Sequence, residues 1–261
     1  HSAAPQDPGD GQVGQRQDSL LLADDIRIDE RWSLLAGANR THLDDKGYSI
    51  SNGSLSSSYD EQAVTPSLAL MYKPVPGALV YASYIEALEQ GDTAPSTAAN
   101  SGEVLEPYLS TQYELGAKFT LGQLDFKAAL FRIEKDSAYT DPVSNVYSAD
   151  GRQVHRGVEF SFTGRLSERL TLLGGFSTVD AERTRSDNAA LVGKTPQAVP
   201  DWLARLYGEY ALPAVPGLVL SAGLSHTGAA WADDLNTKSY PGVTVGDLGL
   251  RYVSSLAGHK T

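Results

Sequence analysis

Gln112-Tyr113-Glu114-Leu115-Gly116-Ala117-Lys118-Phe119-Thr120-Leu121, then Gly122-Gln123, then Leu124-Asp125-Phe126-Lys127-Ala128-Ala129-Leu130, is the stretch that decides the fold. Successive side chains of a strand point to opposite faces. Tyr113, Leu115, Ala117, Phe119 and Leu121 therefore share one face, and Gln112, Glu114, Gly116, Lys118 and Thr120 share the other. Gly122-Gln123 reverses the chain. Leu124, Phe126, Ala128 and Leu130 then oppose Gln123, Asp125 and Lys127. Alternation on both sides of so short a turn predicts an antiparallel hairpin.

Outward from this hairpin the pattern repeats. Strands are expected at 15–29, 32–41, 61–73, 79–86, 108–121, from 124 onward, around Val158-Phe160-Phe162, and at 170–180, 202–212, 218–225 and 243–254. Alternate connections are short: Glu30-Arg31, Pro74-Val75-Pro76-Gly77, Gly122-Gln123, Leu166-Ser167-Glu168-Arg169 and Pro213-Ala214-Val215-Pro216-Gly217. Proline and glycine in these turns stop the ladder and fix a tight reversal. The others are long and polar, near 42–58, 87–107, 140–151, 181–200 and 228–242, and residues 1–14 read as a leading loop. About eleven strands of roughly 9 to 14 residues suit a tilted membrane strand, whereas strands of a soluble sandwich average about 5 to 6.

Composition narrows the function classes. A hydrophobic share of 41% over 261 residues is too high for a disordered chain, and no apolar run approaches the length of a membrane helix. A barrel escapes that test because it hides its apolar face in every second residue. Cysteine is absent, which removes disulfides, thiolate metal sites and cysteine nucleophiles. The net charge of −11, with Lys and Arg unclustered, argues against nucleic acid and against peripheral binding to anionic lipid.

No catalytic constellation is present in the sequence, and no cofactor is expected. His1, His42, His155, His226 and His259 have no metal-ligand spacing, and Gly175-Phe176-Ser177-Thr178-Val179 fails the nucleophile-elbow pattern at its last position. Asp24-Asp25, Asp44-Asp45 and Asp233-Asp234 could hold Ca²⁺ only if loops brought them together; solvated loop acids are the simpler reading. Aromatics near strand ends (Trp32, Tyr72, Tyr81, Phe119, Phe131, Trp202, Tyr210 and Tyr252) match the girdles expected at membrane interfaces. On a barrel reading, Glu114, Lys118 and Glu159 point inward, where facing charges can pair. Alternation alone would also suit, as the lesser reading, an ordinary antiparallel sheet with one solvated face.

Several landmarks carry a family resemblance. They are Asp29-Glu30-Arg31-Trp32-Ser33-Leu34-Leu35-Ala36-Gly37; Thr65-Pro66-Ser67-Leu68-Ala69-Leu70-Met71-Tyr72-Lys73-Pro74 with Val80-Tyr81-Ala82-Ser83-Tyr84; Leu105-Glu106-Pro107 with Gln112-Tyr113-Glu114-Leu115-Gly116-Ala117-Lys118; Ala129-Leu130-Phe131-Arg132-Ile133-Glu134-Lys135; Arg156-Gly157-Val158-Glu159-Phe160; Pro196, Pro200 and Tyr240-Pro241-Gly242-Val243-Thr244. In this order they resemble the C-terminal part of the barrel of TonB-dependent outer-membrane receptors of the ferric-siderophore type. The resemblance spans 1–261 as one barrel portion.

It implies an all-β, antiparallel up-and-down transmembrane barrel in the outer membrane of a Gram-negative bacterium, and no enzyme. These would be roughly the tenth to twentieth of about 22 strands. The signal peptide, TonB-engaging motif, plug domain, early strands and last strands are expected to lie outside the sequence. The start lacks a signal-peptide pattern, the end reads as a turn, and Thr261 is not the aromatic residue with which the family usually ends. Such a piece is not expected to transport anything alone. The implied partners are a ferric siderophore, outer-membrane lipid, and TonB acting through the plug. Loop residues Tyr139, Tyr147, Arg152 and Trp231 are the candidates for ligand contact, against ordinary loop packing. The alternatives are a structural or adhesive barrel, a receptor for vitamin B12, haem or glycan, and a soluble carbohydrate-binding sandwich. Leu115, Phe119, Phe126, Leu130, Phe160, Leu220 and Leu248 must share one convex, outward face if the barrel reading holds.

Overall fold

The computed structural model describes residues 12–48, 52–256 and 259–260. Ten long strands run in chain order: β1 (Gln12–Arg27), β2 (Trp32–Tyr48), β3 (Leu55–Tyr72), β4 (Ala78–Glu89), β5 (Tyr108–Leu121), β6 (Leu124–Thr140), β7 (Tyr147–Arg165), β8 (Leu170–Arg185), β9 (Trp202–Ala211) and β10 (Leu218–Thr227). A short pair, β11 (Ala230–Trp231) and β12 (Ser239–Tyr240), precedes β13 (Val243–Tyr252). The main sheet has eleven strands in the order β1 through β10 and then β13, each antiparallel to its neighbour. Ser255–Leu256 pairs with His259–Lys260 in a small ladder, and the rest of the turn expected at 256–261 lies outside the described residues. Residues 12–14, expected in the leading loop, belong to β1, and residues 1–11 lie outside the described residues.

The register decides which side chains share a face, because directly opposed residues of an antiparallel pair point the same way. Leu115 faces Leu130, and Phe119 faces Phe126. Phe126 faces Phe162, and Leu130 faces Val158. Phe160 faces Phe176, which faces Ala204. Leu220 faces Tyr210 on one side and Leu250 on the other, and Leu248 faces Ala222. All seven test residues thus lie on one face, and the outcome agrees with the barrel reading. The same ladder runs back through Ala82 and Leu70 to Leu34 and Ile26.

The opposite face is polar and hollow. A cavity of about 700 Å³ is lined from Tyr81 on β4 to Asp247 on β13, with Glu114, Lys127, Glu159 and Arg205 between them. Among the described residues there is no ordinary two-sided core. Leu115, Leu130 and Leu206 are half exposed although they sit in central strands. Exposed leucines in the middle of a sheet are what a lipid-facing wall requires.

Turn chemistry follows the short-connection side. Leu121 pairs with Leu124 around Gly122-Gln123, and Gly122 has φ +64°. Such a two-residue loop needs positive φ at its first central position, which glycine adopts without strain. At the β1–β2 turn the Asp29 carboxylate accepts the N–H of Arg31 and of Trp32, each at 2.7 Å.

Two expectations change. The segment 42–58 was expected as a loop, yet β2 runs to Tyr48 and β3 begins at Leu55, with 49–51 outside the described residues. The segment 140–151 shrinks to 141–146 between β6 and β7. In these arms the face that is apolar lower down turns polar: Arg40, His42, Asp44, Gln62 and Asp60 continue the face that carries Leu34 and Leu70. Backbone pairing continues where side-chain alternation has stopped. The aromatic reading also needs correction. Tyr81 pairs with Gly116 and Phe131 with Gly157, which puts both on the polar face and not in a girdle. On the apolar face Trp32 lies against Tyr72 (4.5 Å between ring centroids) near the short turns. Tyr84 meets Tyr113 (5.3 Å) and Trp202 stacks on His226 (4.1 Å) toward the long loops.

Phe160 lies on the apolar face midway between Arg156 and Gly164. In the full-length protein, Phe160→Arg should lower stability by about 2–4 kcal/mol, read by urea unfolding in lipid vesicles. Ser221→Arg, opposite Glu209 on the polar face, should leave the unfolding midpoint nearly unchanged. Equal effects of the two substitutions would contradict the face assignment.

Candidate binding surface

Two surfaces have the chemistry to meet a polar partner: the hollow inner face and the long-connection rim. On the inner face the Tyr81 hydroxyl donates to Glu114 Oε1 at 2.5 Å, and Gln112 Nε2 donates to Glu114 Oε2 at 2.9 Å. Lys118 Nζ lies 5.3 Å from the centre of the Tyr81 ring, a cation–π contact. The inward direction expected for Glu114, Lys118 and Glu159 therefore holds, but Glu114 is bound by a phenol and an amide, not by a lysine. Glycine makes the room. A Cβ at Gly116 would collide with the Tyr81 ring, and one at Gly157 with the Phe131 ring. Farther along, Glu209 accepts from the Tyr207 hydroxyl (2.9 Å) and from Arg251 Nη2 (3.1 Å).

The rim is built from connections that have their own internal structure. In 90–107, Thr93 bridges Val104, and the N–H groups of Ala94, Gly102 and Leu105 donate to Glu103, Ala94 and Asp92 carbonyls. Ala94 and Ala98 are buried within it. Gly91 is essential to the crossing, because an added Cβ would strike the Leu105 carbonyl. In 228–242, β11 and β12 form a small hairpin closed by Asp233. Its carboxylate accepts the N–H of Thr237 (3.0 Å) and of Lys238 (2.6 Å) and the Thr237 hydroxyl (3.1 Å).

The four residues expected at the ligand fall into two places. Tyr139 is at the end of β6, not in a loop, and is buried with its ring over Gly151. Tyr147 begins β7, and its hydroxyl donates to Asp92 Oδ2 at 3.3 Å. Arg152, also on β7, opposes Asp136 and sits 3.9 Å from that carboxylate and 4.0 Å from Glu134. These three share the β6–β7 hairpin. Trp231 is separate, on β11, where its carbonyl accepts the Ala198 N–H at 3.0 Å. Of the acidic pairs, Asp234 binds Arg183 Nη2 at 2.6 Å and Asp44 binds Lys46 Nζ at 2.9 Å. Among the described residues no group of three or more His, Asp or Glu side chains is arranged to hold a metal ion.

Sequence reading missed Asn100, Asn145 and Asn236. Asn145 and Asn236 each hydrogen-bond to another long connection and Asn100 to Tyr147 at the start of β7, and Asn145 and Asn236 both have φ +57°. The available signal was turn chemistry, since asparagine tolerates the left-handed region. Its partners lie 41 to 48 residues away and no local pattern marks them.

Residues 2–258 match the family model described as "TonB dependent receptor-like, beta-barrel". The ferrichrome receptor FcuA of Yersinia enterocolitica is 30% identical over 243 residues, covering 91% of this chain and 32% of the relative. The ferrioxamine B receptor of Salmonella typhimurium is 28% identical over 252 residues, covering 93% of this chain and 34% of the relative. Among solved structures, BauA, the ferric preacinetobactin receptor of Acinetobacter baumannii, superposes with a TM-score of 0.79 at 34% identity, covering 95% of this chain and 37% of that one. The chain thus spans about a third of the length of the relatives it matches.

The Asp233 hairpin gives a pH prediction. Hydrogen bonds from backbone N–H groups, Thr237 first, hold its carboxyl below the usual carboxylate range against an opposing effect of burial. A lowered acid stabilises the hairpin fully above its unfolded value and loses that contribution as pH falls through the lower folded value. With Trp32→Phe and Trp202→Phe, Trp231 emission should stay constant from neutral pH down to about 4 and change only below it. A midpoint near 6 would contradict this. Separately, Gly91→Ala should speed protease cleavage within 90–107 without altering the barrel's unfolding midpoint.

Proposed function

This chain belongs to the TonB-dependent receptor β-barrel family, and we propose from it that the whole receptor captures a ferric siderophore at the long-loop face and imports it across the outer membrane. The observation that carries the reading is the 34% identity to the ferric preacinetobactin receptor BauA, running over 95% of the chain. The sheet is built to match: an apolar face for lipid, a hollow polar face for a lumen, and long connections at one end only. In the family's orientation the short turns are periplasmic and the long loops extracellular.

The residues divide the task. The rim loops would meet a bulky, hydrogen-bonding chelate with aromatic and polar groups. The inner face, with Glu114, Glu159, Lys127 and Arg205 around one cavity, would pack on a plug domain. The plug would couple to TonB and move aside under its pull. The strands β1 and β13 each have one partner among the described residues, and every residue of β13 is exposed. Further strands of the receptor would pair with them, since a bilayer does not tolerate open sheet edges.

Deletion of the full-length gene from an iron-starved host tests this reading. Uptake of radiolabelled iron from at least one of ferrichrome, ferrioxamine B and preacinetobactin should fall to background and return with a plasmid copy. Uptake unchanged for all three would count against it.

A further inference from the structure

Two pairs of neighbouring loops are joined by asparagine side chains that act as substitute peptide groups. Asn100, in 90–107, donates from Nδ2 to the Tyr147 carbonyl at 2.9 Å and accepts the Tyr147 N–H at Oδ1 at 2.8 Å. A carboxamide carries the donor and acceptor of a peptide, so exchanging both bonds with one residue copies a ladder pair. Asn145 strengthens the join from the other loop. Its Nδ2 donates to the Thr97 carbonyl at 2.9 Å, and its own carbonyl accepts the Ala99 N–H at 2.7 Å.

The second pair repeats the device. Asn236, in 228–242, accepts the Thr195 N–H at 2.8 Å and donates to the Thr195 carbonyl at 2.9 Å. Beside it the Arg183 guanidinium, whose side chain is only 14% exposed, binds Asp234 at 2.6 Å. The Ala198 N–H donates to Trp231 across the same seam. No other side chain of this size supplies both edges: alanine has neither, and aspartate has only acceptors.

We propose that Asn100 and Asn236 are positioning residues for ligand capture, each fusing two loops into one rigid wall of the extracellular mouth. The proposal rests on the import reading above for its ligand. Loops already joined have less freedom to lose when a ligand binds, which raises affinity without adding a contact. Tyr147 and Trp231 then contribute through their main chains, as parts of the two seams, and not only through their rings.

The test uses the full-length receptor in lipid nanodiscs. This chain has no cysteine, so spin labels can be placed at chosen sites once any cysteine elsewhere in the receptor is replaced. One label pair, Ser96→Cys with Val143→Cys, spans the first seam; Val192→Cys with Lys238→Cys spans the second. Electron–electron distance distributions should be narrow in the parent. Asn100→Ala should broaden only the first pair, and Asn236→Ala only the second. Affinity for ferric ferrichrome, ferric ferrioxamine B or ferric preacinetobactin, whichever the parent binds, should fall on the order of tenfold in each variant. The barrel's unfolding midpoint should stay where it was. Unchanged distance distributions overturn the proposal, as does broadening with unaltered affinity. If the parent binds none of the three chelates but the distributions broaden as stated, the fusion of the loops stands and it is the siderophore reading that fails.

Discussion

The structure depends on one constraint: in hydrocarbon, every backbone N–H and C=O must find a partner within the protein. A sheet meets it only through an unbroken ladder, and here the ladder passes through ten consecutive antiparallel pairings from β1 to β13. Once the backbone is spent in this way, side chains are left to satisfy the two surroundings separately. Lipid takes the face of Leu115, Phe126, Phe160 and Leu220. The lumen takes the face of Glu114, Lys127, Glu159 and Arg205. The glycines that interrupt the polar face are part of the same solution. Gly116 leaves room for the Tyr81 ring, and Gly157 for the Thr178 carbonyl and the Phe131 ring, where an added Cβ would collide.

The same constraint explains why the two ends differ. On the short-turn side the chain must reverse at once, and Gly122 or the Asp29 carboxylate closes the turn with local bonds. On the other side the strands leave the bilayer still paired, and water can satisfy whatever the ladder does not. The loops there are free to acquire structure of their own. They do so by hydrogen bonds between connections, with Asn100 and Asn236 in the positions that a backbone strand would otherwise fill.

Legibility in the sequence tracks this division. Within the bilayer the two faces demand opposite chemistry, so β5 could be read at both ends from alternation alone, 108–121, and the seven residues expected on one face lie there. Above the bilayer both faces meet water. Alternation carries no information in 42–48 and 55–58, and a paired hairpin arm looked like a loop. Tyr81 and Phe131 fall on the polar face, because parity and not nearness to a turn sets the face; Tyr81 shares it with Leu79 and Ser83. The rim could be read only as a region. Tyr139, Tyr147 and Arg152 converge on one hairpin, but the asparagine seams that organise the loops join residues more than forty positions apart, and no periodicity encodes such contacts.

The central claim is that alternate residues of one strand face lipid and lumen. Power-saturation EPR on the full-length receptor in bilayers tests it directly, with single nitroxides placed in turn at Ala128, Ala129, Leu130, Phe160, Ser161, Leu220 and Ser221. Oxygen accessibility should be high at Ala128, Leu130, Phe160 and Leu220 and low at the others, with accessibility to a water-soluble nickel complex out of phase. Oxygen and nickel accessibility rising and falling together along these positions would contradict the account.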